Sequence, residues 1–517
     1  MLTSALFLAP SFFTFLLLSL YVRKVRKSAV SQRSAALSLL KIESDAHREK
    51  KFIGFFHPYC NAGGGGERVL WTAVALMQRT EPDVISVVYS GDTDATKEQI
   101  IAKVKARFDI TLAPDTLHFV FLESRQLVED RAWPRFTLLG QSLGSMYLAW
   151  EAMSKFVPDL YIDTMGYAFT FHVVAWLAGI PIGAYVHYPT ISTDMLARVE
   201  ARRTTYANSD AISSSTLLSR GKLMYYRLFM YHYALALRSS SFLMVNSSWT
   251  KNHVDAILAH SDPLLDFIHL PLTFIGGLTL SIVRALASSS PARAHAAPRR
   301  AAIVYPPCNT LALSQFSLDG RPSLLLSLAQ FRPEKDHAAQ IRMMAALLQR
   351  YPEHRQVVRL LLAGGVRNEG DSARVDDLKA LADTLHVSIT QDHVEFVVNA
   401  PYPRILELLG HASVGLNTMV DEHFGINVVE FMAAGVIPVV HASGGPLRDI
   451  VVPVDGLRTG FHAKDSESFA QAVHEVMVMS EEERRSIRAR ARQWATTTFS
   501  QEAFEKGWTQ SGWSRWL

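Results

Sequence analysis

Arg332 and Lys335 stand three residues apart in the run Gln330-Phe331-Arg332-Pro333-Glu334-Lys335-Asp336-His337, and Pro333 restricts the turn between them. A forked guanidinium beside an ammonium suits a leaving group that gathers negative charge as its bond breaks, such as a diphosphate. Two fixed cations can do this without a metal ion. Surface lysines are usually just solvated. Here the run directly follows a strand-like segment, which is where open α/β sheets bind ligands.

A second cluster runs Asp421-Glu422-His423-Phe424-Gly425-Ile426-Asn427-Val428-Val429-Glu430-Phe431-Met432-Ala433-Ala434-Gly435, with seven residues between its two glutamates. Its second half is apolar with helical spacing, and Gly435 reads as the C-terminal stop. Gly425 lets the backbone turn into that helix, so N–H groups around Gly425, Ile426 and Asn427 would point at a phosphate. Glu422 precedes the helix and is expected to face a cleft. Glu430 lies one or two turns in, within Val-Val-Glu-Phe-Met, and can accept two hydrogen bonds from a ribose diol. A solvated acid beside a core helix explains neither glutamate well.

A third cluster runs from His57 to Arg68 and contains Gly63-Gly64-Gly65-Gly66-Glu67 between the first strand-like and first helical segments. Glycines let a substrate approach the backbone, and the helix start offers N–H groups to an anion. The run is neither a dinucleotide fingerprint nor a Walker loop, since no Gly-Lys-Ser/Thr follows. His187, in Tyr185-Val186-His187-Tyr188-Pro189-Thr190, ends another strand and could donate to a sugar hydroxyl. Asp194, slightly downstream, is expected to contact an acceptor. Ala442-Ser443-Gly444-Gly445-Pro446 supplies one more glycine turn at a strand end.

These clusters fall at the ends of strands that alternate with helices, a pattern that predicts parallel sheets covered by helices. Strands are predicted at Phe52–Phe56, Val84–Tyr89, His118–Phe121, Leu160–Ile162, Ile182–Val186 and Phe242–Val245. A second series is predicted at Ser323–Leu328, Val357–Leu362, Val394–Val398, Ser413–Leu416 and Ile437–Val440. Helices between them include Arg68–Met77, Thr170–Ala178, His337–Arg350 and Arg404–Leu409. The fold class is α/β: two Rossmann-like domains facing across a cleft. The expected organisation is 51–310 for the first domain, with an insertion at 260–300, and 311–495 for the second. A helix at 496–517 is expected to pack back on the first.

The 517 residues are 49% hydrophobic and 19% charged, which describes a folded protein of two or three domains. A net charge of +4 gives no basic stripe for nucleic acid. Two distant cysteines, Cys60 and Cys308, form no disulfide or zinc framework and favour a reducing compartment. Leu2 to Val22 carry no charge, and Arg23, Lys24, Arg26 and Lys27 follow. Charge after the apolar run marks a transmembrane anchor over 1–22 with a cytosolic C-terminal side, then a basic helical linker over 23–50. Leu217–Arg238 reads as a basic aromatic helix able to lie at an interface, or as an ordinary domain helix. The apolar stretch 267–283 reads as a membrane-dipping segment or as a loop helix packed on the domain; it is short for a span and contains Pro271.

Together, Glu422-x7-Glu430 with Phe424-Gly425, the Arg332/Lys335 pair and the glycine loop resemble retaining GT-B glycosyltransferases of family 4. Gly63–Gly66 continuing into Glu67-Arg68-Val69-Leu70-Trp71, Val186-His187-Tyr188-Pro189 and Val304-Tyr305-Pro306-Pro307-Cys308 resemble, more narrowly, the dolichol-pathway α-1,2-mannosyltransferases. The resemblance covers nearly the whole chain past the anchor. It implies GDP-mannose as donor, with no metal or other cofactor. The acceptor would be a lipid-linked oligosaccharide at the endoplasmic reticulum membrane, with the catalytic domains cytosolic and other dolichol-pathway mannosyltransferases as possible partners. It implies addition of the fourth and fifth mannoses with retention. Arg332 and Lys335 would hold the diphosphate, Glu430 the ribose and Glu422 the transferred sugar, with His187 beside it. Phe431 departs from the alanine common in the wider family and is expected to reshape the pocket wall. The alternatives are a related membrane enzyme with another donor or step, and a non-catalytic glycolipid-binding scaffold. Keeping all of Arg332, Lys335, Glu422 and Glu430 argues against the scaffold.

Overall fold

Strands buried on both faces read as unbroken Val/Ile/Leu/Phe runs, and all thirteen strands among the described residues pair in parallel. The computed structural model describes residues 2–42, 50–191, 216–269, 300–387 and 393–517, with side chains from residue 17 in the first span and from 220 in the third. The chain forms two units. One comprises Met1–Val245, Thr250–Val304 and Trp508–Leu517, and the other Asn246–Trp249 and Tyr305–Gly507.

The first unit holds β1 (Lys51–Phe56), β2 (Val84–Ser90), β3 (Leu117–Phe121), β4 (Leu160–Asp163), β5 (Ile182–Val186), β6 (Phe242–Val245) and β7 (Ala302–Ile303). Their order is β3-β2-β1-β4-β5-β6-β7. The second holds β8 (Leu324–Leu328), β9 (Arg359–Gly364), β10 (Val394–Val398), β11 (Val414–Asn417), β12 (Ile437–His441) and β13 (Phe461–Ala463), ordered β10-β9-β8-β11-β12-β13. Each sheet is therefore Rossmann-type, reversing direction of growth beside its first strand, between β1 and β4 and between β8 and β11. That switch point is where such sheets bind ligands.

Successive strand residues feed opposite faces. In the second unit Leu325, Leu360 and Leu362 pack with Met344, Leu347 and Val473. Leu326 and Leu361 pack on the other side with Val428, Phe431 and Leu408. Each such side chain contributes about 1.5–3 kcal/mol when fully buried. Phe431 is a core residue: a Cβ on Gly415 would stand 2.3 Å from its ring, so it fills the space above β11 and builds no pocket wall. In the first unit the C-terminal Trp508 is fully buried and stacks on Tyr185, with ring centroids 6.4 Å apart. The edge strands β7 and β13, two and three residues long, carry too little pattern to be read from sequence.

The N-terminal segment corrects one expectation. A single helix runs Leu2–Leu39, and its second half is part of the first unit's core, not a free linker. Val22, Val25, Ala36 and Leu37 are buried at helical spacing. Arg26 donates to the carbonyls of Trp176 and Leu177, both at 3.1 Å, capping the Thr170–Leu177 helix. Arg33 pairs with Asp159 at 2.8 Å. Among the described residues no helix is long and apolar enough to cross a membrane. The expected anchor falls largely on residues 1–16, whose side chains lie outside the described ones. The stretch 267–283 lies outside them from 270 onward. The Thr216–Arg238 helix is a domain helix on one side, burying Phe229, Met230, Tyr233 and Leu237.

Arg26→Ala should lower stability by about 1–2 kcal/mol, since it removes charge-assisted bonds to two helix-end carbonyls. Denaturant unfolding in detergent measures this. Unchanged stability would mean that the docked helix adds nothing to the unit.

Candidate functional site

In the second unit, the segments leaving β8, β11 and β12 meet. After β8 the chain makes a single 3-10 turn, Pro333–Lys335, started by the proline. Asp336 then adopts a left-handed conformation, φ 45°, and caps the His337–Arg350 helix by accepting from the Ala339 N–H at 3.1 Å. This turn is tied to β11 by Thr418, whose hydroxyl lies 3.0 Å from the carbonyls of both Lys335 and Asp336. Gln340 donates to the same hydroxyl at 2.9 Å.

The turn delivers Lys335 to Glu422. Its Nζ lies 2.6 Å from Glu422 Oε2, and Asn417 Nδ2 donates to the same oxygen at 3.4 Å. Glu422 is held from behind by its backbone. Its carbonyl accepts from the Gly445 N–H at 2.8 Å, and Asp421 N–H donates to Ser443 Oγ at 2.7 Å. Gly444 has φ +63°, and a Cβ there would stand 2.2 Å from the Glu422 carbonyl. The glycine turn after β12 thus serves to let the Glu422 backbone approach.

Arg332 begins the same turn. Its nearest carboxylate is Glu334 at 3.7 Å, and its buried Nε has no hydrogen-bond partner among the described residues. Burial, then the neighbouring Arg367, lowers its pKa. A half-buried guanidinium beside a second guanidinium favours an anion.

Gly425 has φ 105° and starts the Ile426–Ala434 helix, which ends at Gly435 with φ 79°. The N–H groups of Ile426 and Asn427 precede any intrahelical acceptor, whereas the Val428 N–H already donates to the Gly425 carbonyl and to Asn427 Oδ1, both at 3.0 Å. Ile426, Asn427 and Glu430 share its less buried face, while Val428 and Val429 face the core. Two members of the expected donor set work structurally. Phe424 is buried against Tyr305 and Phe499, at 5.9 and 5.5 Å. Asn427 ties the helix to both central strands, donating to the Leu328 carbonyl at 3.0 Å and accepting from Asn417 at 3.2 Å. Both side chains thereby fix the backbone at the helix start.

In the first unit the segments after β1, β4 and β5 converge on Thr164. His57 Nδ1 lies 2.8 Å from its hydroxyl, and His187 Nε2 lies 3.1 Å from its carbonyl. A carbonyl only accepts, so His187 carries its proton on Nε2 in that contact. Asp163 fixes the turn by accepting from the Met165 and Gly166 N–H groups at 3.0 and 2.9 Å; burial still pushes it up to about 7. A Cβ on Gly66 would touch His187 Nε2 at 3.5 Å and His57 at 3.8 Å, so the glycine loop reaches the same place. Beside it a cavity of about 240 Å³ lies between Ser142 and Ser145 on one side and Gly166, Tyr188 and Thr190 on the other.

The loop is not the bare anion cradle expected. Glu67 is buried and accepts the Gly64 N–H at 2.9 Å. Burial raises its pKa, and N–H groups of the loop oppose the rise. Gly63 has φ +86°, the only one of the four glycines with a positive φ. Asp194 lies outside the described residues. His57, Thr164, Asn417, Thr418 and Ser443 were not singled out as site residues. A polar residue at the last position of a strand, or one or two places past its end, is the signal that marks them.

Burial pushes both imidazoles down, His57 to about 3 with help from His187, and His187 to about 4 against the opposing Thr164 carbonyl. Both are neutral at pH 7. In the unfolded chain they take a proton near pH 6.5 that the folded chain refuses. Stability present above that pH should therefore be lost as pH falls towards 4. His57→Gln should flatten the slope of unfolding free energy against pH across this window; an identical slope would contradict the assignment.

Residues 50–258 match the family model described as ALG11 mannosyltransferase N-terminus, and residues 312–494 match glycosyl transferases group 1. The chain is 43% identical to the GDP-Man:Man(3)GlcNAc(2)-PP-Dol alpha-1,2-mannosyltransferase of Xenopus laevis, over 90% of this chain and 87% of that protein. The Homo sapiens protein of the same name is 43% identical over 89% and 86%. That of Candida glabrata is 36% identical over 89% and 88%. Among solved structures, an alpha,alpha-trehalose 6-phosphate synthase from Burkholderia multivorans superposes with TM-score 0.60 at 13% identity, covering 90% of this chain and 99% of its own. Anabaena Alr3699/HepE in complex with UDP and glucose gives 0.54 at 13%, covering 90% and 100%. These two share the fold, two Rossmann-type sheets of the GT-B kind. With identity near two in five along nine-tenths of its length, the chain belongs to the dolichol-pathway α-1,2-mannosyltransferases and is a glycosyltransferase.

Proposed function

We propose that this enzyme transfers mannose from GDP-mannose to Man(3)GlcNAc(2)-diphosphodolichol, adding the fourth and fifth mannoses in α-1,2 linkage with retention, on the cytosolic face of the endoplasmic reticulum membrane. The carrying observation is the group at the β8/β11 switch point: Lys335 2.6 Å from Glu422, Arg332 on the same turn, and a helix start at Gly425. The substrate named for the Xenopus and human relatives supports the acceptor.

In this reading Lys335 and Arg332 take the charge that develops on the donor diphosphate, so no metal is required. Glu422 serves two ends. It keeps the ammonium aimed while the site is empty, and it accepts a hydroxyl of the transferred mannose when the diphosphate claims the lysine. Glu430 accepts the ribose diol. By the family resemblance His187 lies near the transferred mannose, where a neutral imidazole adds no charge beside the sugar. Asp194 is assigned to the acceptor by position in sequence. The N-terminal apolar run anchors the chain, and other mannosyltransferases of the pathway are candidate partners.

The test is purified protein in detergent with GDP-mannose and a trimannosyl lipid-linked acceptor, with the product mass read out. Gain of two hexoses in α-1,2 linkage supports the proposal. Turnover only with another donor assigns a different step, and donor binding without turnover assigns a scaffold. Lys335→Ala should lower kcat roughly a thousandfold, the scale of losing a preorganised charge at a leaving group, with unchanged thermal unfolding. A full rate in that variant would remove the lysine from the mechanism. Activity that persists in chelator, with no gain on added divalent cation, checks the metal-free assignment.

A further inference from the structure

The Thr137–Lys155 helix is built inside out. No charged residue occurs from Thr137 to Trp150. The side turned inward is small over its first half, where Gly140, Ser142, Gly144 and Ser145 are buried, and only further on do Leu148 and Met153 supply large core side chains. A Cβ at Gly140 would stand 2.2 Å from Trp133, and one at Gly144 2.0 Å from the Leu127 carbonyl. The side turned outward is large and apolar: Leu139, Leu143, Tyr147 and Trp150, spaced by four, four and three residues, with Leu143 53% exposed. A surface helix in water shows the reverse pattern. Just before it, Phe136 is 70% exposed and held at φ 54°, a conformation unfavourable for a bulky residue.

The apolar side continues onto two neighbours. Tyr21 of the Leu2–Leu39 helix stacks on Trp150 at 6.1 Å and its hydroxyl meets Ser154 at 2.8 Å. Leu17, Leu18 and Leu20 are exposed beside it. Tyr225 of the Thr216–Arg238 helix accepts the Leu139 N–H at 3.1 Å and meets the Phe136 ring at 5.9 Å, with Met224 and Leu228 exposed. A continuous apolar surface on three elements marks an interaction site.

Charge selects the occupant. Residues 2–42, 137–150 and 216–238 contain no Asp or Glu, while Arg23, Lys24, Lys27 and Arg220 are exposed. Aromatic side chains on segments that carry cations and no carboxylate suit the anionic face of a bilayer, where each cation near the surface contributes about 1 kcal/mol. A second copy of the chain would set like charge against like. The uncharged run Leu2–Val22 includes Leu17, Leu18 and Leu20, so the surface is continuous with a segment of this chain apolar enough in sequence to enter lipid. We propose that this three-helix face of the first unit lies on the anionic surface of a lipid bilayer, with Leu139, Leu143, Tyr147 and Trp150 immersed at the headgroup boundary. The proposal needs no assumption about the donor or acceptor.

Cys60 and Cys308 are both buried, so a single engineered surface cysteine can be labelled selectively. Full-length Leu143→Cys, carrying an environment-sensitive fluorophore, is reconstituted into vesicles of phosphatidylcholine and phosphatidylserine. The expected result is blue-shifted emission and at least severalfold stronger quenching by spin-labelled lipid than for a label at Lys379→Cys, on an exposed position of the second unit. Equal, weak quenching at both positions would overturn the proposal. So would a label at 143 shielded from lipid whose energy transfer grows with protein density, since a second copy would then cover the face. Separately, Leu139→Glu with Leu143→Glu should cut turnover on a vesicle-embedded acceptor at least about tenfold, with unchanged thermal unfolding. Undiminished turnover would also count against it.

Discussion

An ammonium held against a carboxylate at the mouth of the second sheet is the contact on which that unit's site depends. Lys335 and Glu422 come from segments leaving adjacent strands, β8 and β11, and they meet only because three constraints agree. Thr418 ties the lysine's turn down. The Gly444-Gly445 backbone supports the glutamate from beneath. Gly425 then takes the chain into its helix without a Cβ in the way. An ion pair of partly exposed groups contributes little to stability by itself. Its value here lies in orientation, because each partner keeps the other's long side chain in one rotamer until a ligand competes for it.

The first sheet has the same strand order, extended by β7, and different electrostatics. At its switch point Thr164 holds two neutral imidazoles, whose charged forms burial disfavours. One topology thus presents a formally charged cluster in one unit and an uncharged hydrogen-bonding cluster in the other. Leaving-group chemistry wants the first. Recognition of sugar hydroxyls wants the second, since fixed charge near them would attract water and counter-ions as readily as substrate.

Much of this was legible in the residues. Parallel strands buried on both faces leave apolar runs that stand out, so the interior strands of both sheets were readable to within a residue or two. Motif position followed, because glycines, prolines and cations placed directly after such runs must lie at strand ends. Helix ends at Gly425 and Gly435 were readable because only glycine adopts those backbone angles at low cost. What stayed hidden depends on partners distant in sequence. Nothing near Phe431 says that it sits over Gly415, and nothing near Asn427 says that its amide is spent on Leu328. The docking of residues 22–40 was hidden for the same reason: a basic amphipathic stretch after an apolar run reads as a linker until Trp176, Leu177 and Asp159 appear as its partners.

Glu67 changes what the glycine loop can select. Its carboxyl group already occupies part of the loop's N–H array from within the same helical turn. A phosphate arriving there would have to displace an internal acceptor and tolerate its oxygens nearby. A sugar hydroxyl, which brings a proton of its own, can instead donate to that carboxyl group and leave the loop intact. The chain has in effect filled part of its own anion slot with a carboxyl group from the first turn of the helix that follows.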